Sequence, residues 1–434
     1  MFAVLPRHRL LLTLIYLLPS VVAAQWPTTI PLDTFHPPFL DPAAMCYSPV
    51  SNHVYVSCAA FAGDTNVAVL NGSTLERTKA LPTGANRVNC VVYNQVYNKV
   101  YAASGGDRDG SALAVISCDS DSVIAIMRNI VVEPTVMCVN PLNGKVYVSS
   151  AQHDGSTVAI IDGAGDTVRA TVNVGYSPVA LCTNTHDNKV YVANSGVLVA
   201  LDSTVTVIDG RTDEVIKTII VGVSPHSLAY AKSQNRIYCA NQNWYSRIDS
   251  TVSVIDGSSD SVIATIIVGL GPRCVCYDSS TNKLYCAVRS YYDETGYISV
   301  IDCNTNRVLR TIPISSSGLA RDAASHLLYS VNHVANSVHV IDCLTDSVIA
   351  EFPTGKEPWW QVCPNPSNGT VLVSTPGSDD VTAFDRATRQ VTARAFLGIQ
   401  TPRAVVSRPD TPFVYVACGL NTVAAVDGRT NVVR

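Results

Sequence analysis

Charge is scarce in this chain. Lys and Arg number 30 and Asp and Glu 34 among 434 residues, 15% together, against roughly 25% in an average soluble domain. The formal charge of −4 comes with no basic stripe to follow a phosphate backbone, which argues against nucleic acid as a partner. Bulky apolar anchors are few as well: four Trp, four Met and eight Phe. Beyond residue 18 no apolar run approaches the ~20 residues needed to cross a bilayer.

Chemical signatures are also thin. The chain has no C-x-x-C pair, no C-x-x-C-H haem attachment and no G-x-S-x-G elbow. His333 and His339 lie six apart, which matches no metal spacing. Asp107-Arg108-Asp109 and Asp119-Ser120-Asp121 lack the Glu that closes a Ca²⁺ loop and read as turn acids. No catalytic residue, metal or cofactor is therefore expected from the sequence.

What the chain has is repetition. Val54-Tyr55-Val56, Val100-Tyr101-Ala102, Val146-Tyr147-Val148, Val190-Tyr191-Val192 and Ile237-Tyr238-Cys239 are variants of one strand. The series continues at Leu284-Tyr285-Cys286, Leu328-Tyr329-Ser330, Val371-Leu372-Val373 and Val414-Tyr415-Val416, with centres 43 to 47 residues apart. Each copy is followed by a phrase such as Val254-Ile255-Asp256-Gly257. A period of this length with several short strands per unit predicts a β-propeller. One unit runs through Pro225–Tyr230, Ile237–Ala240, Thr251–Ile255 and Ser261–Val268, four strands joined by Asn-, Asp- and Gly-bearing turns.

The expected fold is an all-β single propeller of nine four-stranded antiparallel blades, with eight as the alternative. The blades are placed near residues 42–84, 85–132, 133–175, 176–222, 223–269, 270–315, 316–355, 356–398 and 399–434. The ninth unit stops at Asn431-Val432-Val433-Arg434, where its fourth strand should begin. Pro27-Thr28-Thr29-Ile30-Pro31-Leu32 resembles the fourth strand Leu309–Ile314, so residues 25–33 are expected to complete that blade and close the ring.

Ahead of that strand, Arg7-His8-Arg9, the apolar run Leu10–Leu18 and Val22-Ala23-Ala24 have the order of a secretory signal, with cleavage expected after Ala24. The run is too short for a membrane anchor. Cleavage moves the formal charge to −6, since residues 1–24 hold two Arg and no acid. A secreted, periplasmic or cell-surface location follows. All 14 Cys lie beyond the signal, and Cys46, Cys138, Cys182, Cys276 and Cys363 each stand nine residues before the centre of the next strand. A position shared between blades reads as packing, so buried thiols are expected rather than bridges.

Three phrases carry a family resemblance: Val190-Tyr191-Val192-Ala193-Asn194, Thr204-Val205-Thr206-Val207-Ile208-Asp209 and Val215–Gly222. They resemble the YVTN β-propeller repeats, over nearly all of the chain beyond the signal. The resemblance implies a secreted or surface prokaryotic propeller, similar to the repeats of surface-layer proteins. The same repeat class is similar to the propellers of quinoprotein amine dehydrogenase heavy chains, haem d1 nitrite reductases and some lactonases. Fold does not fix function.

Two candidate sites emerge from strand geometry. The loop before the first strand and the loop between strands two and three of each blade share one face, and the variable segments fall there. On blades four to six the longest of these place Trp244, Tyr245, Arg247 and Asp249 near Tyr291, Tyr292, Asp293 and Glu294. Aromatics among acids and Arg suit recognition of a protein or carbohydrate. The second candidate is the channel mouth, where Arg87, His226, Arg273, Trp359, Trp360 and Arg403 stand at the entries to first strands. The arginines there could ring an anion, or pair with Asp322 and Glu357. The primary expectation is a non-catalytic binding or cell-surface scaffold module with a protein or carbohydrate partner. The alternative is a propeller enzyme or subunit, quinoprotein dehydrogenase-like or lactonase-like, with its site at the channel mouth.

Overall fold

The computed structural model describes residues 29–31, 42–58, 65–72, 77–84, 88–105, 111–150, 156–196, 202–242, 251–289, 295–322, 325–332, 334–354, 356, 358, 362–365, 369–396, 402–407, 413–418, 422–427 and 432–433. The signal sequence expected at residues 1–24 lies outside them. Nine antiparallel sheets, eight of four strands and a ninth of five that draws on both chain ends, make nine blades in one ring, and the eight-blade alternative falls away. In blades one to eight the strands pair in chain order, inner to outer, as a meander. Among the described residues no helix is long and apolar enough to cross a membrane.

Burial explains the Tyr-centred phrase. The second strand of each blade is sandwiched by both neighbouring blades, so its residues are covered on both faces. In Lys189–Asn194 only Lys189 retains partial exposure. Tyr55, Tyr101, Tyr147, Tyr191, Tyr238, Tyr285, Tyr329 and Tyr415 are all fully buried. The inner strands keep a half-buried middle where they line the channel, as in Pro178–Asn184. Outer strands such as Val215–Ile220 are mostly exposed. β-Branched residues fill these pleated, two-sided layers, as such surfaces favour.

The turn residues follow from backbone geometry. The third-to-fourth-strand turns place Asp121, Asp166, Asp213, Asp260, Asn306 and Asp346 at φ between 47° and 66°. Among L-residues Asp and Asn tolerate this left-handed conformation best. In blades two to seven this turn residue also reaches back to the preceding blade. Lys189 Nζ lies 2.7 Å from Asp260 Oδ2 and Tyr191 donates to Asp260 Oδ1 at 2.5 Å. Lys99 and Tyr101 hold Asp166 in the same way, and Lys283 and Tyr285 hold Asp346. In blade one His53 and Tyr55 hold Asp121, so that acid is a turn residue, as its sequence context suggested, and a seam residue as well.

The ring closes as the repeat count requires, with one refinement. Thr29–Pro31 pairs antiparallel with Thr422–Ala424, as expected of an N-terminal latch. Val432–Val433 pairs with Val426 and Asp427 on the same strand, so both chain ends share the outer edge of blade nine. Tyr415 then donates to Gly72 O at 2.7 Å, and Tyr415, Val423 and Ala425 pack with Val54, Val56 and Leu70 of blade one.

The thirteen described cysteines are free thiols, buried or half-buried. Burial pushes Cys138, Cys182 and Cys276 up to about 12. That is the behaviour of packing residues rather than of nucleophiles.

Candidate functional site: the channel mouth on blades five to seven

A shared irregularity builds the mouth. In blade five Pro225 pairs with Asn241 and Ser227 with Ala240, so His226 is an extra residue in the ladder. In blade six Pro272 pairs with Val288 and Cys274 with Ala287, which makes Arg273 the bulged residue. The same shift sets aside Ala43, Asn89, Thr135, Val179 and Arg403 in other blades. A bulge breaks the pleat and re-aims one side chain without disturbing the strands beyond it. Proline explains its place: it donates no hydrogen bond and begins the strand. Before it, Glu133, Ser177, Ser224 and Gly271 take positive φ values of 45°, 50°, 55° and 73°. Left-handed backbone at three non-glycine positions is a conformation that costs energy, and such residues gather at binding sites.

Blades five, six and seven enclose a cavity of about 470 Å³ at this mouth, within the size range of small-molecule sites. Blade five contributes His226, Ser227 and Gln242; blade six gives Arg273 and Cys274; blade seven supplies Ser317, Gly318 and Leu319. Its frame is tied by hydrogen bonds. Val275 N–H donates to Ser227 Oγ at 3.3 Å across the blade five–six seam. Gln242 N–H donates to Ser224 O at 2.9 Å, and Ser317 N–H to Val331 O at 2.7 Å.

The two bulge residues differ in charge state. Burial, and then the neighbouring Arg273 guanidinium, holds the His226 imidazolium form down, so its pKa lies below the ordinary 6.5. His226 is therefore neutral at pH 7 beside a permanent cation. That pairing supplies a planar donor fork for an anion and an imidazole able to accept a proton. Cys274 is pushed up to about 11 by burial, despite a hydrogen bond from the Leu319 backbone and the charge on Arg273. It lines the cavity as a protonated thiol.

Of the mouth residues expected from sequence, His226 and Arg273 come together in this cavity. Arg403 occupies the bulge position of blade nine. Arg87, Trp359 and Trp360 lie outside the described residues, as do Trp244, Tyr245, Arg247, Asp249, Tyr291, Tyr292, Asp293 and Glu294. In blade two the register places Asn89 at the position equivalent to His226, and its amide donates to Pro134 O at 3.2 Å. Asp322 does not pair with the mouth arginines among the described residues. It sits at the other end of its strand and holds Arg386 at 2.6 Å. Sequence reasoning missed Gln242, Cys274 and Ser317. Gln242 opens a long loop after strand two, and Ser317 stands at the position that follows the Pro in most blades, equivalent to His226, so repeat alignment was the available signal.

No family model matches the chain, and no curated protein matches it. Solved structures do. Hydrazine synthase of Kuenenia stuttgartiensis superposes with a TM-score of 0.50 at 18% identity, over 68% of this chain and 96% of that one. The dihydro-heme d1 dehydrogenase NirN, in complex with DHE, superposes with a TM-score of 0.60 at 15% identity, over 92% of this chain and 79% of that one. At such identities the similarity is one of fold: this chain is a nine-bladed β-propeller, and its structural neighbours are propeller proteins.

Proposed function

We propose that this chain is a propeller enzyme, or the ligand-carrying subunit of one, working at the channel mouth on blades five to seven. Its ligand there is a small anionic organic molecule. One observation carries the reading. Adjacent bulges turn an arginine and a neutral histidine into a single cavity, so an anion can be held by Arg273 while His226 accepts or returns a proton. General acid–base catalysis asks for such an imidazole with a pKa near the working pH. The thiol of Cys274, kept protonated by burial, is no nucleophile in this scheme.

Two comparisons support the enzyme reading over the surface-scaffold one: both neighbours are named as enzymes, and one is named in complex with its ligand. The repeats are read as YVTN-type on the strength of their phrases, since Val190–Asn194 and Thr204–Asp209 form the second and third strands of blade four. A thermal-shift screen of mono- and dicarboxylates, phosphates and sulfonates tests the proposal, run on the full chain beside Arg273→Ala and His226→Ala. Stabilisation by one anion class, lost in Arg273→Ala, is expected. A screen without any stabilising anion, or stabilisation indifferent to Arg273, would overturn it.

A further inference from the structure

The seam between blades six and seven contains a cluster of buried polar atoms that the channel mouth does not use. Tyr285 of blade six reaches Asp346 of blade seven, and Leu328 and Ile341 of blade seven pack against Tyr285 and Ile298. Side chains alternate along a strand, so Ser330, Ser337 and His339 share the face of Leu328 and Ile341 and look into the same seam. Register puts Ser330 directly opposite His339, and Asn332 opposite Ser337. These side chains are shut off from solvent, with relative exposures of 0% for Ser330, 3% for Ser337 and 7% for His339. Ser330 Oγ, Ser337 Oγ and His339 Nδ1 have no hydrogen-bond partner among the described residues.

Blades four and five show what normally fills this level. Asn194 Nδ2 donates to Thr204 Oγ1 and Thr206 Oγ1, both at 3.0 Å. Asn241 Nδ2 donates to Thr251 Oγ1 and Ser253 Oγ at the same distance. A carboxamide thus bridges two positions of the third strand. In blade seven the equivalent residue, Asn332, caps its own short loop. Its Oδ1 accepts from Val334 N–H at 3.1 Å and Ala335 N–H at 3.0 Å. The bridge is broken, and the residues it would join are Ser337 and His339. Three orphaned polar atoms on neighbouring positions of one face are unusual, because a buried donor or acceptor left unpaired destabilises the fold.

We propose that this seam is a binding site for one water molecule, which takes the place of the asparagine amide and joins Ser330, Ser337 and His339. Water fits because the guest must both donate and accept, and three polar partners match the two to four that an internal water makes. Glu351 sets the tautomer. His339 Nε2 lies 3.4 Å from Glu351 Oε1 on the outer strand, and the nearby carboxylate favours the ring form protonated at Nε2, which leaves Nδ1 as the acceptor. The water donates to Nδ1 and exchanges hydrogen bonds with the two hydroxyls. This site is independent of the ligand reading at the mouth, and either can fail without the other.

Two readouts test it on the full chain: melting temperature and the ¹⁵N shift of His339 Nδ1. If water bridges the three groups, Ser330→Ala and Ser337→Ala each lower the melting temperature by a few degrees. Each also moves Nδ1 towards the shift of an unbonded imidazole nitrogen. If the hydroxyls are merely orphaned, their removal leaves the melting temperature unchanged or higher and Nδ1 unmoved, which overturns the proposal. A direct Ser330–His339 bond would also overturn it, and would show as a response to Ser330→Ala alone. Should neither variant fold, the wild-type Nδ1 shift decides: hydrogen-bonded supports the water, unbonded refutes it.

Discussion

The seam clamp between blades four and five allows a stability argument with a definite size. Asp260 holds Lys189 at 2.7 Å and Tyr191 at 2.5 Å, and Lys189 Nζ also donates to Gly257 O at 2.8 Å. The side chains of Lys189 and Asp260 are 12% and 9% exposed, so neither charge can turn to bulk water. Asp260→Ala would strand a buried ammonium and a buried phenol. Removing one partner of such a pair costs about 3–5 kcal/mol, most of it for the charge left behind. Asp260→Asn keeps an acceptor for Tyr191 and a residue suited to φ 51°, so its cost should be nearer 1.5–3 kcal/mol, the worth of a hydrogen bond to a charged group. Blade six offers precedent: there Asn306 accepts from Tyr238 at 3.2 Å, opposite Arg236. Arg211→Ala is the control, because Arg211 is 74% exposed and its pair with Asp209 spans 3.6 Å, a contact worth about 0–1 kcal/mol. Urea unfolding followed by circular dichroism gives the order: Asp260→Ala lowest in midpoint, Asp260→Asn between, Arg211→Ala at wild type. If Asp260→Ala matches Arg211→Ala, the clamps are decoration and the seams are held by apolar packing alone.

Three further predictions follow from named contacts. Deleting Thr29–Pro31 removes the partner of Thr422–Ala424, so the melting temperature should drop and the bared edge should promote self-association, visible by light scattering; an unchanged melt refutes the latch. Tyr415→Phe removes the bond to Gly72 O across the closing seam and should cost about 1–3 kcal/mol in urea, since the carbonyl is left buried; no loss would mean the carbonyl finds another partner. Hydrogen bonds from the Ser259 and Thr388 backbones hold Asp256 and Asp385 below 3.8. A depressed carboxylate contributes stability above its unfolded pKa, so these turns should weaken as pH falls below about 3.8; Asp256→Asn should flatten the acid limb of the stability profile.

Much of the fold was legible because the repeat enforces it nine times. Tyr191, Tyr238 and Tyr285 announce the middle of a blade, since only a strand covered on both faces buries a ring so regularly. The Asp of each third-to-fourth-strand turn was legible as a turn acid. Its second role as the clamp of the preceding blade was not, because the partners stand 60 to 70 residues away, as Tyr191 and Asp260 do. The split outer strand of blade nine escaped for a related reason: Val432-Val433 is too short to register by periodicity, and pairing with Asp427 is a contact that only three dimensions reveal. At the mouth, the Pro-flanking positions singled out His226 and Arg273 by chemistry. The bulge that joins their fates is a matter of register, and register leaves no mark on a single strand. Asn89 was hidden by the same limit, since Val88 replaces the proline that flags the bulge elsewhere.

The bulges also separate what the ring needs from what the site needs. His226 and Arg273 stand outside the alternating ladder and line the mouth cavity, whereas Leu228, two residues beyond His226, packs against the cluster that contains Tyr191, Val205 and Val207 of blade four. A position that lines a cavity can vary with little loss of packing. His226→Ala and Arg273→Ala should therefore melt close to wild type, within about 0.5 kcal/mol in urea, as substitutions away from packing do. Leu228→Ala should cost about 2–5 kcal/mol, as removal of packed apolar side chains does. Ligand dependence should reverse that order. An anion at Arg273 would raise the lowered His226 pKa, so binding should tighten as pH falls from 7 towards 5, and His226→Ala should abolish that slope while leaving binding at pH 7.5 largely intact. A pH-independent affinity in the wild type would refute the coupling between the two bulges, and large instability in both bulge variants would show that they serve the ring instead.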